Sequence, residues 1–189
     1  MTIGVLGLQG CCRPHEQMFA ALGVPTLRVL YARQLAEVHG LVIPGGESTT
    51  MLLLARKEGM WEALQEFGRT RPVWGVCAGC ILMAHQVTHP AQLSLDLLDI
   101  DVMRNAYGAQ NESFVASLPI AFAGDPVELP AIFIRAPRID RVGAGRIVRA
   151  RHGQEPVFVD SDRHMVTTFH PELTESTAVH QHFLGKVGG

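Results

Sequence analysis

Short apolar runs, each about the length of a β-strand, alternate with amphipathic stretches through the first half of the chain. The run Leu41-Val42-Ile43 is apolar at every position, so it lacks the polar face of a strand that meets water on one side. Strands of this kind are buried on both faces, as in a parallel sheet covered by helices. The sequence therefore predicts a doubly wound α/β fold.

The same patterns place the individual elements of this fold. Strands are predicted at residues 2–8, 25–30, 40–44, 72–76, 98–103, 131–135, 156–159 and 165–169. Helices are predicted at residues 14–22, 48–57, 81–84 and 174–187. In the last helix Val179, Phe183 and Val187 are spaced four residues apart and share one face. Because the second half is richer in strands, an antiparallel extension of the mostly parallel sheet is expected.

The length and composition of the chain fit one globular domain that covers residues 1–189. Apolar residues make up 47% of the chain and charged residues 18%, and no apolar run reaches the roughly 20 residues that cross a bilayer. The first residues lack the features of a signal peptide, so a cytoplasmic protein without a membrane segment is expected. The formal net charge is −2 and the basic residues are scattered, which argues against nucleic-acid binding.

The four cysteines are Cys11, Cys12, Cys77 and Cys80. Adjacent Cys11 and Cys12 are poorly placed to staple a fold, and the chain is long enough to form a core without disulfides. Reduced thiols are therefore expected, and one of them is available for chemistry.

The sharpest local motif is G-V-C-A-G at residues 75–79, between a predicted strand and a predicted helix. A nucleophile elbow has this arrangement, because glycines two residues on either side of the nucleophile avoid collisions with the strand and the helix. The position of Cys77 at a helix N-terminus would also favour its thiolate form. Taken alone, the motif is equally compatible with a buried, unreactive cysteine beside packing glycines.

A cysteine nucleophile needs a base, and the base needs a group that orients it. His170 follows the predicted strand at residues 165–169 and precedes Pro171, which places it at the carboxyl edge of the sheet, where ligands bind in α/β folds. Glu172, two residues later, approaches the imidazole if the chain turns. A lone histidine at a strand end is more often a solvated or capping residue. Combined with the elbow, however, Cys77, His170 and Glu172 indicate a catalytic triad.

The loop P-G-G-E-S-T at residues 44–49 joins a predicted strand to a predicted helix, with Ser48 as the expected N-cap. Backbone N–H groups of this loop would hold an oxyanion together with the N–H of Ala78, the residue after the nucleophile. The alternative is an ordinary strand-to-helix turn. The loop lacks the spacing of a P-loop, so a phosphate site is not expected.

Cys77 and Cys80 also form a C-x-x-C motif, which leaves a dithiol redox protein as an alternative. A thioredoxin-like domain is usually shorter and carries its motif near the beginning, whereas here several predicted strands precede it. A redox function also leaves the glycines of the elbow unexplained. The cysteines do not form the paired C-x-x-C knuckles of a structural zinc site, so no metal is expected.

Three motifs occur in the order found in class I glutamine amidotransferases and resemble theirs: P-G-G-E-S at residues 44–48, the elbow at 75–79 and F-H-P-E at 169–172. Further segments narrow the resemblance, and they are G-V-L-G-L-Q-G at 4–10, G-G-E-S-T-T at 45–50, R-N-A-Y-G at 104–108, F-I-R-A-P at 133–137 and H-P-E-L-T at 170–174. These segments are similar to the glutaminase subunits of pyridoxal 5′-phosphate synthase, and the similarity extends over nearly the whole chain.

This resemblance implies a flavodoxin-like, three-layer α/β/α fold. It also implies a Cys77–His170–Glu172 triad that hydrolyses L-glutamine to L-glutamate and ammonia through a thioester, with no cofactor. The oxyanion donors would be the backbone N–H groups of Gly46 and Ala78. The residues that the resemblance assigns to glutamine binding are Gly46, Glu47, Ser48, Arg104, Ile134 and Arg135. Arginine suits this role because its side chain binds a carboxylate through two hydrogen bonds. The ammonia would pass to a separate synthase subunit that builds the vitamin B6 ring.

The chain departs from the family pattern near its first helix. Arg13-Pro14-His15 stands where the family usually has Arg-Glu-His, and Cys11-Cys12 precedes it. Because this region faces the synthase subunit in the family, the departures bear on partner affinity.

Two further departures lie outside the triad, since Asp96 replaces a glycine and Cys80 replaces an aliphatic residue. An amidotransferase subunit of another pathway, such as histidine or tryptophan synthesis, is a second alternative. The segments around Arg104 and Arg135 argue against it by resemblance.

Overall fold

The computed structural model describes residues 1–57, 59–106 and 113–189. Within these ranges the chain forms twelve strands, which are β1 (Ile3–Leu6), β2 (Thr26–Val29), β3 (Gly40–Ile43), β4 (Val73–Val76), β5 (Ala84–Thr88), β6 (Leu98–Met103), β7 (Ser113–Ile120), β8 (Val127–Ile134), β9 (Arg138–Val142), β10 (Ile147–His152), β11 (Glu155–Asp160) and β12 (Met165–Thr167). Seven of them build a central sheet in the order β10-β11-β12-β4-β3-β1-β2.

The central sheet is parallel over most of its width and antiparallel at one edge. Strands β2, β1, β3, β4 and β12 run in the same direction, in the spatial order of a flavodoxin-like sheet. β11 is antiparallel to both β12 and β10. The other strands form a smaller sheet, β5-β6-β9, and the hairpin β7-β8. The predicted α/β fold with a mostly parallel sheet and an antiparallel extension is confirmed.

Helices cover both faces of the central sheet. They are α1 (Cys12–Ala21), α2 (Ser48–Lys57), α3 (Met60–Thr70), α4 (Ala78–Met83) and α5 (Ala178–Gly188), with 3-10 turns at Ala32–Glu37 and Pro171–Leu173. Side chains of α2, α3 and α4 belong to one apolar cluster, and side chains of α1 and α5 belong to a second. The molecule therefore has the predicted three layers. No helix in the described part of the chain is both long and apolar enough to span a membrane.

β3 shows why the apolar run in the sequence is unbroken. Leu41, Val42 and Ile43 have no exposed surface. Leu41 and Ile43 belong to the cluster beneath α2, α3 and α4, whereas Val42 belongs to the cluster beneath α1 and α5. Burial of this strand on both faces is confirmed, and the predicted apolar face of α5 packs into the second cluster.

Several boundaries differ from the sequence prediction. α1 begins at Cys12 rather than at Pro14, because a proline in the first helical turn removes only an N–H group that has no partner inside the helix. β12 ends at Thr167, two residues before its predicted end, and α5 begins at Ala178, four residues after its predicted start. The 3-10 turn at Pro171–Leu173 occupies part of the interval and reverses the chain there.

The sequence patterns do not predict α3, β5, β7, β9 or β10. α3 buries Met60, Trp61, Leu64 and Phe67, so a helical period is present in its sequence. α4 ends one residue before the prediction, and Ala84 begins β5 instead. The unpredicted strands β7, β9 and β10 lie near the surface and expose many of their side chains, which leaves little apolar pattern to recognise.

Candidate active site

Cys77 lies in a sharp turn between β4 and α4. Its backbone has φ 48° and ψ −100°, a region that residues other than glycine rarely adopt. Its N–H donates to the carbonyl of Thr167 on β12 at 2.8 Å, and its own carbonyl accepts from the N–H of Ile81 at 3.3 Å. The turn therefore presents the thiol at the carboxyl edge of the sheet, as in a nucleophile elbow.

The glycines on either side of Cys77 occupy positions where a side chain does not fit. A Cβ atom on Gly75 would lie 2.5 Å from the carbonyl oxygen of Gly79. A Cβ atom on Gly79 would overlap the carbonyl oxygen of Ile43 in β3. Both obstacles are backbone atoms, which move only if a strand or helix moves. The spacing of the G-x-C-x-G motif follows from this close packing of α4 on β3 and β4.

His170 reaches the same edge from the neighbouring strand, β12. Its N–H donates to the carbonyl of Ile132 on β8 at 2.8 Å. The 3-10 turn at Pro171–Leu173 folds the chain back, and Nδ1 of His170 lies 2.7 Å from Oε1 of Glu172. The side chain of Cys77 is close enough to interact with the same imidazole and to contribute to its pKa. The three predicted triad residues are therefore in mutual contact through the imidazole.

The charges around His170 influence where its protons lie. Burial alone would lower the pKa of His170, but hydrogen bonds with Cys77 and Glu172 outweigh burial and raise that pKa to about 10. Burial would raise the pKa of Glu172, but the neighbouring imidazoles of His15 and His170 hold it below its usual value. The arrangement favours the imidazolium form of His170 beside the carboxylate form of Glu172.

A cleft of about 320 Å³ opens in front of Cys77 and His170. The predicted oxyanion and glutamine-binding residues line it, and they are Gly46, Glu47, Ser48, Ala78, Arg104, Ile134 and Arg135. Glu172 contacts the far side of the His170 ring and does not line the cleft. The structure therefore brings all of the predicted site residues to one place.

The Gly45–Gly46 peptide is held by the segment that follows β1. The N–H of Cys11 donates to the carbonyl of Gly45 at 3.1 Å. Gly10, at φ +111°, permits this approach because a Cβ atom there would overlap the same oxygen. In a trans peptide the N–H of Gly46 points away from that carbonyl, and so away from Cys11. A Cβ atom on Gly45 would in turn overlap the ring of His170, so the loop at residues 44–49 is positioned from two sides.

Glu47, rather than the predicted Ser48, caps the N-terminus of α2. Oε2 of Glu47 accepts a hydrogen bond from the N–H of Thr50 at 2.9 Å, whereas Ser48 is already the first residue of the helix. The hydroxyl of Ser48 donates instead to Oε1 of Gln92 at 3.1 Å. A carboxylate at this position also interacts favourably with the helix dipole.

Two glutamines that contact residues lining the cleft, Gln9 and Gln92, are not among the site residues predicted from the sequence. Oε1 of Gln9 accepts a hydrogen bond from the N–H of Glu47 at 2.7 Å, and Gln92 accepts one from Ser48. Gln9 follows the parallel strand β1 closely, so its position at the carboxyl edge was a usable signal. Gln92 lies in an irregular segment after β5, where no periodicity marks it.

Arg104 is anchored in the wall of the cleft. Its Nη2 donates to Oγ1 of Thr49 at 2.8 Å and lies 3.4 Å from Oε1 of Glu47. The R-N-A-Y-G motif to which Arg104 belongs is described only in part, since Tyr107 and Gly108 lie outside the described residues.

The environment of Cys80 argues against a dithiol function. All four cysteines are free thiols, and Cys80 has no exposed surface. Burial raises the pKa of its thiol, with a smaller contribution from Cys77. A resolving cysteine needs an accessible sulfur that ionises readily, and Cys80 offers neither. In the described ranges, no group of three or more histidine, cysteine, aspartate or glutamate side chains is placed to hold a metal ion.

Comparison with known proteins agrees with this geometry. A protein named pyridoxal 5′-phosphate synthase subunit PdxT from Solibacter usitatus is 47% identical over 98% of this chain and 98% of its own. The Deinococcus radiodurans protein of the same name is 44% identical over 100% and 98% of the two chains. A solved structure described as glutamine amidotransferase superposes with a TM-score of 0.91 at 37% identity, covering 99% of both chains. PurLQS from Thermotoga maritima, at 16% identity and a TM-score of 0.73 over 97% of both chains, shares the fold. The model of the SNO glutamine amidotransferase family matches residues 5–188, and the chain belongs to that family.

Proposed function

We propose that this chain is a glutaminase that hydrolyses L-glutamine to L-glutamate and ammonia, with Cys77 as nucleophile, His170 as acid and base, and Glu172 as the group that orients His170. The observation that carries the proposal is the contact of a buried His170–Glu172 pair with a cysteine held on an elbow at the mouth of a cleft. The relatives that match nearly the whole chain are named as subunits of a pyridoxal 5′-phosphate synthase, which supports the same reaction.

The reaction proceeds in two halves. The thiolate of Cys77 attacks the side-chain carboxamide carbon, and the carbonyl oxygen becomes an oxyanion. His170, as an imidazolium, gives its proton to the departing nitrogen, so ammonia leaves and a glutamyl thioester remains. His170 then removes a proton from water, the resulting hydroxide attacks the thioester, and glutamate leaves with the regenerated thiolate. The reaction balances without a cofactor or a metal.

The oxyanion is stabilised by backbone N–H groups in this proposal. Ala78 is the first residue of α4, and the first N–H groups of a helix have no partner inside it. Gly46 supplies the second N–H. The contact with Cys11 turns the carbonyl of the Gly45–Gly46 peptide towards Cys11, so the N–H on the other side of this peptide is left for the oxyanion. Donors of this kind act most strongly on charge that develops in the transition state.

Glutamine would be bound through the charges of its α-carboxylate and α-ammonium groups. Arg104 and Arg135 line the cleft and supply positive charge for the α-carboxylate, and Glu47 supplies negative charge for the α-ammonium group. Ser48 and Ile134 line the same cleft and complete the proposed contacts with the substrate.

We propose that the ammonia passes to a synthase subunit in a heteromeric complex that makes pyridoxal 5′-phosphate. Support comes from the relatives, which are named as one subunit of such a synthase. A cytoplasmic location fits the free thiols of all four cysteines, since the proposed nucleophile requires a reducing compartment.

The proposed function is tested by glutamate release from purified parent, Cys77→Ser and Cys80→Ser proteins mixed with a cognate synthase subunit. Loss of activity in Cys77→Ser with most activity kept in Cys80→Ser is expected, because Cys80 lies outside the cleft. Equal losses in the two variants would instead support the dithiol alternative, and a parent protein that releases no glutamate would refute the proposal.

A further inference from the structure

Two buried histidines lie behind Glu172, on the side away from the cleft. Oε1 of Glu172 faces His170, whereas Oε2 lies 3.7 Å from Nε2 of His15 on α1. The side chains of His15 and Glu172 have no exposed surface. Among the described residues neither Oε2 of Glu172 nor Nε2 of His15 has a hydrogen-bond partner. The two unpaired atoms therefore face each other across one short gap.

Closing this gap to an ordinary hydrogen-bond length of about 2.8 Å would pair both atoms. Leaving a buried carboxylate oxygen unpaired is costly, and the triad chemistry keeps Glu172 charged. A proton on Nε2 of His15 would give Oε2 of Glu172 a hydrogen-bond donor. The other oxygen, Oε1, already contacts His170.

A second histidine decides which nitrogen of His15 carries the proton. Nε2 of His180 on α5 lies 3.1 Å from Nδ1 of His15, so one of these atoms donates and the other accepts. If His15 donates from Nε2 and is neutral, its Nδ1 must accept, and His180 must donate from Nε2. The Nδ1 atom of His180 is then a bare acceptor, and this is the ring atom that has no partner among the described residues.

Burial agrees with two neutral rings. It lowers the pKa of His180 to about 2 and lowers the pKa of His15, although the charge of Glu172 opposes the shift at His15. Neutral imidazoles carry one N–H each, as the proposed chain of donors requires.

Aromatic side chains hold both rings in place. Trp74 on β4 contacts His15 edge-on at 5.3 Å between ring centroids and His180 at 4.8 Å. Phe19 contacts His180 from a third direction at 5.0 Å. These ring contacts favour the orientation in which the two histidines direct their N–H groups along the line from His180 to Glu172.

We propose that His15 is a positioning residue of the glutaminase site: its Nε2–H binds Oε2 of Glu172 and so keeps Oε1 aimed at His170, while His180 fixes the tautomer of His15. This inference rests on the proposed function for its catalytic consequence. Its structural core, a chain of N–H donors from His180 through His15 to Glu172, rests on the 3.1 Å and 3.7 Å contacts and does not depend on that function.

The tautomers are measurable in the parent protein by nitrogen-15 NMR of the imidazole rings. Both His15 and His180 are expected as neutral rings with the proton on Nε2. An Nδ1–H tautomer at His15 would overturn the proposal. This readout does not depend on glutaminase activity, so it remains decisive even if the proposed function fails.

The catalytic role is tested with His15→Phe, which keeps a ring but removes the donor, and His15→Gln, whose amide returns an N–H at similar reach. In His15→Phe we expect kcat to fall about 10- to 100-fold, the effect of leaving one buried partner unsatisfied, with KM little changed because His15 does not line the cleft. His15→Gln is expected to recover most of the lost kcat. A parent-like kcat in His15→Phe, or an equal loss in both variants, would overturn the role.

His164 provides the matched control. It is buried at the amino edge of the sheet, where its Nδ1 accepts a hydrogen bond from the N–H of Val73. His164→Gln is expected to change the unfolding midpoint without changing kcat. If it lowers kcat as much as His15→Phe does, the effect of His15 is one of general packing and the proposal is wrong.

Discussion

The N–H of Cys77 donates to the carbonyl of Thr167 at 2.8 Å, so the nucleophile is tied by its backbone to the strand that leads to His170. The relative placement of the thiol and the imidazole is therefore set mainly by main-chain hydrogen bonds. Substitution of either side chain should change the chemistry while the surrounding frame persists.

His170, the base, should contribute more to catalysis than Glu172, which orients it. His170→Asn is expected to lower kcat/KM by roughly 10⁴-fold or more. The fall in kcat/KM in Glu172→Gln is expected to be smaller by a factor of about ten or more, because a base that is poorly oriented still transfers protons. Glutamate release gives both values, with circular dichroism as a check on folding. Glutamine hydrolysis by His170→Asn at the parent rate would contradict the assigned base.

The pH profile should report the charge on His170. Its pKa is raised to about 10, chiefly because hydrogen bonds with Cys77 and Glu172 outweigh burial, so the imidazolium persists through neutral pH and is lost only in alkali. Removing the negative charge in Glu172→Gln makes the cation less favourable, lowers this pKa and moves the alkaline fall of kcat/KM to lower pH. Asp96→Asn is a matched control, since it removes a carboxylate from an exposed pair with His85. If kcat/KM of Glu172→Gln falls at the same alkaline pH as that of the parent protein, a group other than His170 governs this fall.

Gly79, two residues after the nucleophile, should not tolerate a side chain. Gly79→Ala pushes a methyl group into the carbonyl of Ile43, and overpacking of this kind costs about 1–3 kcal/mol of stability. Gly185→Ala in α5 meets no atom within 4 Å and should stabilise the helix by up to about 1 kcal/mol. Urea unfolding of the two variants separates these outcomes. Equal stability of both would mean that α4 can shift away from β3.

Arg104 should contribute to substrate binding more than to turnover. In Arg104→Gln we expect KM for glutamine to rise about 10- to 100-fold with a smaller change in kcat, since a charged hydrogen bond to the substrate is lost. Arg141→Gln removes an arginine that pairs with Asp99 and Asp101 at the surface and should leave KM unchanged. Parent-like KM in Arg104→Gln would remove Arg104 from the glutamine site.

Glutamate release should rise about 10²- to 10³-fold when a cognate synthase subunit is added, the effect of gaining one oxyanion donor. The orientation in the structure, with the Gly45 carbonyl held by the N–H of Cys11, is the one that presents the Gly46 N–H. Glycines allow this peptide to take the opposite orientation as well at little steric cost, so the isolated chain is expected to exchange between the two and a docked partner to select the active one. An unguarded glutaminase would also waste its ammonia, which water protonates rapidly. Full activity of the isolated chain, unchanged on mixing, would refute this coupling.

The parts of the site that are local in sequence could be predicted. Glycines around Cys77 and the two-residue separation of His170 and Glu172 carry their own geometric reasons, which need no knowledge of the rest of the chain. The same holds for the parallel core, because burial on both faces of β3 leaves a visible apolar run.

The parts that depend on distant segments could not be predicted. His15 and His180 are 165 residues apart in the chain and meet only because α1 and α5 cover the same face of the sheet. Gln92 reaches Ser48 from an irregular segment, for which no periodic pattern exists. Asp96, where the resemblance leads us to expect a glycine, adopts φ 53°, and only the backbone shows why a glycine would suit that position.

The order β3-β4-β12 has a consequence for how the chain acquires activity. β3 and β4 are consecutive strands of the central sheet, whereas Trp74 of β4 pairs with Met165 of β12, far along the chain. Pairings of such large sequence separation form late, because the entropy of closing the loop must be lost before the contacts compensate for it. A refolding or newly synthesised chain would thus pair β3 with β4 before Thr167 can accept from the N–H of Cys77 and before His170 reaches the site, and recovery of catalysis would lag behind the recovery of secondary structure.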